Sequence, residues 1–545
     1  MSYIQKKRGF IILSSLYVDN ELGAEIGKIP PSMLPLGEGR LYEQQVKLAQ
    51  KNVIYMTLPS GYKIPSADKM RLDAAKINII FLPTSLTLTQ ALQKAALNVE
   101  EDAIELIYGD TLVDLPSSTS SKDDVVAIKE TSANYPWAYA IKKDNNSTFF
   151  TEKQDIYNYR NRNIVCGYFK FSNKLTLVKA CDNSSISCVL NEYNSQIRMD
   201  LVTAVNWYDC GHLPLYYQSK RDFSIARAFN QVRSDGLIFR KSSTQTNKIR
   251  AESNWYNNLP TSIKIYTPKF LETYNEDFKF GYSIEYLYHP LISELYVFGE
   301  LPLSTWQHIL HAIFLFIEKC KMIRPHPNSP EASSEFADHF FKNIILEKTR
   351  DRVDVFCNQR NIDKDRFSLT INDIKYPDLE EIVEYLLSKI SPTKTDDISF
   401  WHGDLFLGNL FYDFRAQRIL SVDPRAQLYD GEFTMFGDYR YDLGKLIHSF
   451  LGNYDNIILN RVNFSAVNGK KWNFSIQNNE TSELISDLFI NKLKESTDAD
   501  LASMISIAAC LFFSMLPLHT DSKKRQNYLL CSGILLYKKV RELHK

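Results

Sequence analysis

The sequence predicts two domains: an α/β domain with a mainly parallel sheet, followed by a two-lobed α+β domain. The chain has 545 residues, which is too long for one hydrophobic core. Up to about residue 232, short apolar runs alternate with amphipathic helical segments; beyond it, a strand-rich stretch precedes mostly helical sequence. We place the domains at 1–232 and 233–545, the second with a small lobe over about 233–300 and a helical lobe over about 301–545.

Composition narrows the class of protein. Hydrophobic residues make up 44% of the chain and charged residues 23%, which is typical of a globular protein. The 64 basic and 64 acidic residues cancel, so a broad nucleic-acid-binding surface is not expected. The 8 cysteines are scattered without C-x-x-C spacing. This favours a reducing, cytoplasmic location over a disulfide framework or a structural zinc site.

Two apolar stretches resemble membrane signals. Basic residues 6–8 precede GFIILSSLYV, but no small-residue cleavage site follows, so a buried first strand is favoured over a signal peptide. The stretch MISIAACLFFSMLPL (504–518) is shorter than the ~20 residues that a spanning helix needs. We therefore predict a core helix there and no transmembrane segment.

In the first domain, the strands are predicted from apolar runs bounded by polar or turn residues: FIILSS, NVIYMTL, INIIFLP and AIELIYGD. LYEQQVKLAQK and TLTQALQKAAL have the periodicity of amphipathic helices, and the polar segment 114–124 is a loop. Alternation of this kind predicts a parallel sheet that is covered on both faces.

In the second domain, four runs predict strands: LIFRKSS, IKIYTP, YSIEYLY and ELYVFGEL. Mostly helical sequence follows over 304–391, and a short strand-rich island spans 399–422 before helices return. A small sheet-rich lobe before a larger helical lobe predicts an enzyme whose site lies at their junction.

The strongest chemical pattern is HGDLFLGN, which contains H-x-D-x-x-x-x-N and precedes a hairpin-like stretch ending at Asp423. Phosphoryl transfer needs one carboxylate to receive the proton of the acceptor, and an amide oxygen with a second carboxylate to hold Mg²⁺. We assign Asp404 to the first role and Asn409 and Asp423 to the second. The alternative is an exposed loop in which the Asp and Asn only make turns.

HGDLFLGN, SVDPR and GDYRYDLGKL together resemble the aminoglycoside phosphotransferase and choline kinase family, over roughly residues 235–545. The resemblance implies a protein-kinase-like fold with ATP as the phosphoryl donor. It also implies that Asp404 is the catalytic base and that Asn409 and Asp423 bind Mg²⁺.

The same resemblance assigns supporting roles. His402 would brace the loop rather than react, and Arg425 follows the metal-binding Asp. Asp438 and Asp442 would hydrogen-bond the catalytic loop from the start of the next helix, a role that is N-terminal capping as much as chemical.

The family also places a lysine on a strand of the small lobe and a glutamate on a helix, which together hold the ATP phosphates. Lys241 alternates with apolar neighbours in LIFRKSS, and Glu252 opens a helical pattern; the alternatives are two surface charges, or Lys248 as the lysine. Tyr286 is assigned to the hinge beside adenine.

Three segments of the first domain resemble sugar-nucleotide (nucleoside-triphosphate) transferases over about residues 9–230: IPPSMLPLGEGRLYEQQVKLA, LIYGDTLV and WYDCGHLPLYYQSKRDF. The resemblance implies a Rossmann-like, GT-A-like nucleotidyltransferase fold. Asp110 and Asp209 would bind one Mg²⁺, and Glu152 and Lys153 would hold the sugar and its phosphate. The alternatives are a turn residue at Asp110 and core aromatics around Asp209.

This first domain departs from the family pattern. The loop after the first strand, residues 14–20, lacks the glycines and arginine that cradle triphosphate, and Pro31 stands at the activating lysine position. Lys28 or Arg40 would have to compensate. A domain that keeps the fold but binds a sugar or a partner is the alternative.

We therefore expect an ATP- and Mg²⁺-dependent phosphotransferase acting on a hydroxyl of a small molecule, fused to a sugar-nucleotidyltransferase-like domain that would use a second NTP, CTP or another. Such fusions look like bacterial capsule or lipopolysaccharide biosynthesis proteins, so enzymes of polysaccharide biosynthesis are the expected partners. The alternatives are a choline- or ethanolamine-type kinase with a cytidylyltransferase domain, an antibiotic-modifying kinase with Asp430 and Glu432 in an acidic cleft, or a non-enzymatic scaffold.

Overall fold

A computed structural model describes residues 7–131, 133, 135–142, 148–152, 162–227, 232–276, 278–478 and 480–544. The chain divides into two compact units, Met1–Arg227 (unit 1) and Ala228–Lys545 (unit 2). Both mix helices and strands, and the largest sheet is dominated by parallel pairs in its central part, which confirms the predicted fold class.

The strands of unit 1 are β1 Arg8–Leu13, β2 Pro35–Leu36, β3 Gly39–Arg40, β4 Val53–Pro59, β5 Ile77–Leu82, β6 Ala103–Tyr108, β7 Thr111–Asp114, β8 Val125–Thr131, β9 Tyr139–Lys142, β10 Thr148–Thr151, β11 Arg162–Phe171, β12 Asp200–Thr203 and β13 Asn206–Asp209. Its helices are α1 Asn20–Ile26, α2 Leu41–Gln45, α3 Ser66–Ala74, α4 Leu88–Leu97, α5 Lys174–Ala180, α6 Ile186–Gln196 and α7 Leu213–Arg227.

The sheet of unit 1 has nine strands, and β1 lies near its centre, parallel to β4 on one side and to β6 on the other. Every residue of β1 is buried, as predicted for the first apolar run. Separate hydrophobic clusters cover the two faces of this sheet. Alternating apolar runs and helices produce this arrangement because both faces of a parallel sheet must be covered.

Two features of unit 1 differ from the predictions. The helix expected over LYEQQVKLAQK ends at Gln45 and continues only as a 3-10 turn to Leu48. The antiparallel strands β8 to β11 were not predicted, and β11 pairs with β6 and β8 on its two sides. β9 and β10 are only four residues long each, and Gly167 interrupts the apolar run of β11.

The strands of unit 2 are β14 Val232–Ser234, β15 Ile238–Ser243, β16 Phe270–Glu276, β17 Lys279–Glu285, β18 Ser368–Ile371, β19 Ile374–Asp378, β20 Ile398–Phe400, β21 Leu410–Asp413, β22 Arg418–Ser421, β23 Phe436–Asp438, β24 Val462–Asn468 and β25 Lys471–Ile476. Its helices are α8 Thr246–Asn257, α9 Thr261–Lys264, α10 Ile292–Phe298, α11 Leu303–Met322, α12 Ser334–Phe340, α13 Lys348–Arg360, α14 Leu379–Lys389, α15 Tyr439–Phe450, α16 Tyr454–Ile458, α17 Glu480–Ser496, α18 Leu501–Met515 and α19 Lys523–Leu543.

Unit 2 begins with a four-stranded antiparallel sheet in the order β14-β15-β17-β16, on which α8 packs. The chain then becomes mostly helical, and α12 passes through a π-helical segment, Phe341–Glu347, into α13. Short pairs β20–β23 and β21–β22 interrupt the helices. β20, β21 and β22 fall in the predicted strand-rich island, and β23 lies beyond it.

Two predicted strands of unit 2 were wrong. IKIYTP begins within α9 and continues as irregular chain, and the strand beside it is β16. ELYVFGEL falls largely in α10, whose seven residues are all buried. A short apolar run that is buried on every side has no periodicity to separate a helix from a strand. The hairpin of β24 and β25 was not predicted.

Within the described residues, one stretch, Leu501–Leu518, is long and apolar enough to cross a membrane, with a mean hydropathy of 2.1. Of this stretch, 78% is buried inside the fold, and its helix α18 packs against α15 and α19. It therefore serves as the core helix that the sequence predicted.

A buried ion pair stabilises the edge of unit 1. The Arg40 guanidinium donates to both carboxylate oxygens of Asp68 on α3, at 2.6 to 3.0 Å, and to the carbonyl of Met33 at 2.6 Å. Both side chains are almost completely buried, at 1% and 4% exposure. Removal of one partner would leave the other charge buried without compensation.

We predict that Asp68→Ala lowers the free energy of unfolding of unit 1 by about 3–5 kcal/mol. Asp73→Ala, an exposed residue on the same helix, is the control and should change it little. Urea unfolding of the full chain, followed by hydrogen exchange of peptides from unit 1, measures the effect. Equal exchange protection in the two variants would contradict the assignment.

Candidate active sites

In unit 2, a buried carboxylate fixes the backbone of the HGD loop. Asp442, in the first turn of α15, accepts hydrogen bonds from the backbone N–H groups of His402 and Gly403, both at 2.8 Å. Gly403 has a φ of +76°, and a Cβ there would lie 2.6 Å from the Cβ of Arg425. Glycine is therefore required by both the backbone conformation and the close approach.

Asp404 follows this loop and has two partners. Lys445 Nζ lies 2.8 Å from its Oδ1, and the Asn409 amide donates to its backbone oxygen at 3.0 Å and to its Oδ2 at 3.2 Å. Burial would raise the pKa of Asp404, but the Lys445 ammonium outweighs this and lowers it. The side chain remains 36% exposed, so the ionised carboxylate is accessible to a ligand.

The hairpin of β21 and β22 brings Asp423 back to Asn409. Leu410 pairs with Ser421, and the Val422 N–H donates to the Asn409 backbone oxygen at 3.0 Å. Asp423 comes next with a φ of +55°, and its side chain is 45% exposed. The Asn409 amide nitrogen donates to Asp404, so its side-chain oxygen remains available to a ligand, and its backbone oxygen is bonded to the residue before Asp423. The Asn409 side-chain oxygen and the Asp423 carboxylate are hard oxygen donors of the kind that Mg²⁺ prefers.

Lys241 bridges the antiparallel sheet to this hairpin. Its Nζ donates to Glu252 Oε2 at 2.8 Å and to Asp423 Oδ1 at 3.0 Å. Burial alone would lower the pKa of Lys241, but the two carboxylates raise it. Lys248, the alternative lysine, is 59% exposed and lies 3.9 Å from Glu252. Glu252 lies in the middle of α8 and does not open that helix, which corrects its predicted position.

Three other predicted residues have simpler surroundings. His402 is fully buried, burial lowers its pKa to about 4, and its Nδ1 accepts from the Asp404 N–H at 3.3 Å. A neutral imidazole in this position can brace the loop. The Arg425 N–H donates to the His402 carbonyl at 2.8 Å. Tyr286 follows β17; its N–H donates to Leu237 at 2.9 Å and its ring lies 4.8 Å from that of Tyr288.

Asp438 has the predicted capping role, but its carboxylate makes no hydrogen bond to the HGD loop among the described residues. Its carboxylate caps α15 by accepting from the Arg440 N–H, and it also binds the Arg440 guanidinium and Thr393 Oγ1. A side chain at the N-cap points back along its own helix. Asp442, one turn further on, is the one that reaches the loop.

Unit 1 contains a cavity of about 290 Å³ at the carboxyl ends of its central strands. Asp110 and Asp209 both line it. Asp110 follows β6, and Asp209 ends β13, where it pairs with Thr111. Burial raises the pKa of Asp110 to about 6, and the neighbouring Asp209 carboxylate adds to this rise. The structure therefore brings the two predicted aspartates together.

Other predicted residues of unit 1 have different roles. Glu152 is exposed and accepts from the Ser187 N–H, at the start of α6, at 3.2 Å. Lys153 lies outside the described residues. Arg40 is held by Asp68, so it cannot replace the missing triphosphate arginine, and Lys28 lies over the Tyr17 ring at 4.7 Å.

Sequence reasoning missed Lys445. It lies three residues after Asp442, inside the GDYRYDLGKL segment that had been singled out. Residues three apart share one face of a helix, so a helix that places Asp442 at the loop also places Lys445 near it. This spacing was the signal that could have found it.

No protein-family model and no curated protein matches the chain. Among solved structures, HddC from Yersinia pseudotuberculosis is similar to this chain at 18% sequence identity and a TM-score of 0.31. The match covers 40% of this chain and 99% of HddC. The inositol-1-phosphate CTP transferase from T. maritima is similar at 14% sequence identity and a TM-score of 0.31. The match covers 41% of this chain and 98% of the transferase.

An aminoglycoside-3'-phosphotransferase of type VIII is similar to this chain at 12% sequence identity and a TM-score of 0.32. The match covers 56% of this chain and 89% of that enzyme. These are distant likenesses. Function is therefore inferred from the geometry of this chain's own residues.

We predict that Asp442→Asn loosens the HGD loop. An amide has one oxygen where the carboxylate has two, so one buried N–H loses its acceptor, at a cost of about 1–3 kcal/mol. Hydrogen exchange of peptides covering residues 398–406 should accelerate, whereas the exposed control Asp498→Asn should leave it unchanged. Unchanged protection in Asp442→Asn would show that this contact does not hold the loop.

Proposed function

We propose that unit 2 is an ATP- and Mg²⁺-dependent phosphotransferase that acts on a hydroxyl group of a small molecule. One observation carries the proposal, a continuous chain of hydrogen bonds. Lys241 is bonded to Asp423, the preceding Val422 is bonded to Asn409, and Asn409 is bonded to Asp404. A lysine, two carboxylates and an amide at one place are the groups that phosphoryl transfer requires.

Each side chain has a defined task. The acceptor oxygen bonds to the γ-phosphorus while the bond to the ADP oxygen breaks, and Asp404 receives the hydroxyl proton. Lys445 keeps Asp404 ionised for this task. Lys241, oriented by the buried Glu252, binds the α- and β-phosphates. Tyr286, directly after the strand that pairs with that of Lys241, borders the adenine.

Asn409 and Asp423 would hold Mg²⁺ through oxygen atoms, and the ion would neutralise phosphate charge. The exposure of Asp423 supports its assignment as a metal ligand. Asp423 is 45% exposed, whereas the orienting Glu252 is only 1% exposed. Asp423 is thus accessible to an ion and Glu252 is not, whereas Asn409 is buried, with 7% of its surface exposed.

The proposed acceptor is a sugar or polyol, and the proposed setting is the cytoplasmic synthesis of precursors for capsular or other surface polysaccharides, with the enzymes of that synthesis as partners. The support is the sequence resemblance of both units. A decayed scaffold would not be expected to keep Asp404 ionised and accessible.

We predict that Asp404→Asn lowers kcat for acceptor phosphorylation roughly 100- to 10,000-fold, which is the range of general-base catalysis. Binding of Mg²⁺–ATP should be retained, because Lys241 and Asp423 are unchanged. ADP release and thermal shift with Mg²⁺–ATP measure the two effects.

Asp423→Asn should lose the Mg²⁺–ATP thermal shift as well as turnover. Asp396→Asn, an exposed residue just before β20, is the matched control and should behave as the wild type. Undiminished phosphorylation by Asp404→Asn would refute the proposed base.

A metal–nucleotide site in unit 1 is a second candidate function. It is favoured by the facing Asp110 and Asp209, which can share one divalent ion. Two buried polar atoms of cavity residues, Tyr108 OH and Trp207 Nε1, have no hydrogen-bond partner among the described residues. A polar ligand would satisfy them.

The full chain incubated with Mg²⁺, each of the four NTPs and a panel of sugar 1-phosphates tests this candidate. Nucleotidyl transfer should release pyrophosphate, and Asp209→Asn should abolish the release because one metal ligand is lost. Asp222→Asn, exposed on α7, should leave it unchanged. No release above background with any NTP would reject the activity and favour a sugar- or partner-binding unit.

A further inference from the structure

Asp423, the proposed metal ligand, has a backbone conformation that its local sequence does not favour. Its φ is +55°, in the left-handed region that costs energy for residues other than glycine. Pro424 follows, and a residue before proline favours extended backbone. Such a conformation persists only where the surrounding structure holds it. Because the Asp423 side chain is 45% exposed, its direction depends on this backbone and on its bond to Lys241.

Three backbone N–H groups hold the segment from Val422 to Arg425, in which Pro424 has none. The N–H groups of Val422 and Arg425 donate to backbone carbonyls within the segment HGDLFLGN, at 3.0 and 2.8 Å. The Asp423 N–H donates to the phenolic oxygen of Tyr256 at 3.3 Å. The acceptor for Asp423 is thus a side chain of α8, and it belongs to none of the motifs to which the sequence assigned a role.

Tyr256 is held in place by other aromatic rings. It is 2% exposed and lies in the last turn of α8. Its ring packs edge-to-face on Trp255, with 5.4 Å between the ring centres, and lies 5.6 Å from the ring of Tyr282 and 6.2 Å from that of Phe270. Aromatic rings at these separations attract one another. The packed ring therefore fixes the position of the hydroxyl group.

Helix α8 makes two more contacts with the proposed site. Glu252, one turn before Tyr256, binds Lys241. Trp255 Nε1 donates to the backbone carbonyl of Trp401, the residue before the HGD loop, at 3.1 Å. Since one helix contacts the lysine, the loop and the metal-binding segment, the hydroxyl of Tyr256 has a defined place relative to all three.

The bond to Lys241 and the bond to Tyr256 act on Asp423 in different ways. Lys241 occupies one carboxylate oxygen, and under the proposed function its ammonium also binds the phosphates of ATP. Its contact with Asp423 is therefore shared once the nucleotide enters. The Tyr256 hydroxyl binds the backbone N–H, so it leaves both carboxylate oxygens of Asp423 to other partners.

We propose that Tyr256 is a positioning residue of the phosphotransferase site: its hydroxyl holds the Asp423 N–H, and thereby the left-handed backbone that directs the Asp423 carboxylate to the magnesium ion. This inference rests on the proposed kinase function. Without the hydroxyl, the N–H loses its acceptor, and other conformations of Asp423 gain population. The apparent affinity for Mg²⁺–ATP then falls by the fraction of molecules that keep the binding-competent arrangement.

Tyr256→Phe tests the inference, because it removes the hydroxyl and keeps the packed ring. Tyr296→Phe is the matched control. Tyr296 is 3% exposed, and its hydroxyl bonds to the Phe450 carbonyl and to Ser486, neither of which has an assigned role. Thermal melts without ligand show that both variants fold. The thermal shift of the full chain is then measured while Mg²⁺ is titrated at a fixed ATP concentration.

We expect the Mg²⁺ concentration that gives half of the maximal shift to rise roughly tenfold in Tyr256→Phe. In Tyr296→Phe it should equal the wild-type value. Saturating Mg²⁺ should restore the full shift in Tyr256→Phe, because both proposed metal ligands remain. Without ligand, hydrogen exchange of peptides covering residues 419–426 should be faster in Tyr256→Phe than in Tyr296→Phe, because the Asp423 N–H has lost its acceptor.

An unchanged Mg²⁺ midpoint or unchanged exchange in Tyr256→Phe would overturn the inference. An equal rise of the midpoint in Tyr296→Phe would overturn it too, because it would show a general effect of a lost buried hydroxyl. So would a loss of the shift that saturating Mg²⁺ does not restore. A failure of the proposed function is distinguishable, since the wild type itself would then show no Mg²⁺–ATP thermal shift.

Discussion

The geometry of unit 2 depends on one buried carboxylate. Asp442 sits at the start of α15 and binds two successive N–H groups of the chain just before Asp404. Burial raises its pKa to about 7, while the two hydrogen bonds oppose this rise. A helix packed along its whole length thereby sets the position of an irregular loop, and α15 also delivers Lys445 to Asp404. Because α15 supplies both contacts, it fixes both the position of the HGD loop and the charge state of Asp404.

Much of the fold could be predicted from sequence because its central strands are long apolar runs. β1 and its parallel neighbours were found in this way. Prediction from apolar runs failed where a segment is short and completely buried, as in α10, whose residues are all buried. It also missed β24 and β25, a hairpin with largely polar, exposed residues on its first strand. Such elements are stabilised by tertiary contacts that no local pattern records.

The candidate site was more predictable than the fold around it. The positions of Asp404, Asn409 and Asp423 are fixed by a loop and a hairpin that are local in sequence, so spacing alone carried the information. Lys241 was identified only through the family resemblance, because its partner Asp423 is 182 residues away in the sequence. Residues that meet only after folding leave no local spacing in the sequence.

The two units use paired carboxylates in opposite ways. In unit 2, Asp404 and Asp423 each have a lysine within about 3 Å, so both are compensated before any ligand binds. In unit 1, the described residues that line the cavity include no lysine or arginine, and Asp110 and Asp209 raise the electrostatic energy of one another. His212 is the basic side chain beside them among the described lining residues, with its Nδ1 3.4 Å from Asp209 Oδ1. A divalent cation would compensate both carboxylates at once. Under the proposed functions, a metal ion would complete the site of unit 1, whereas the site of unit 2 is arranged in advance and would need its metal only for the phosphates.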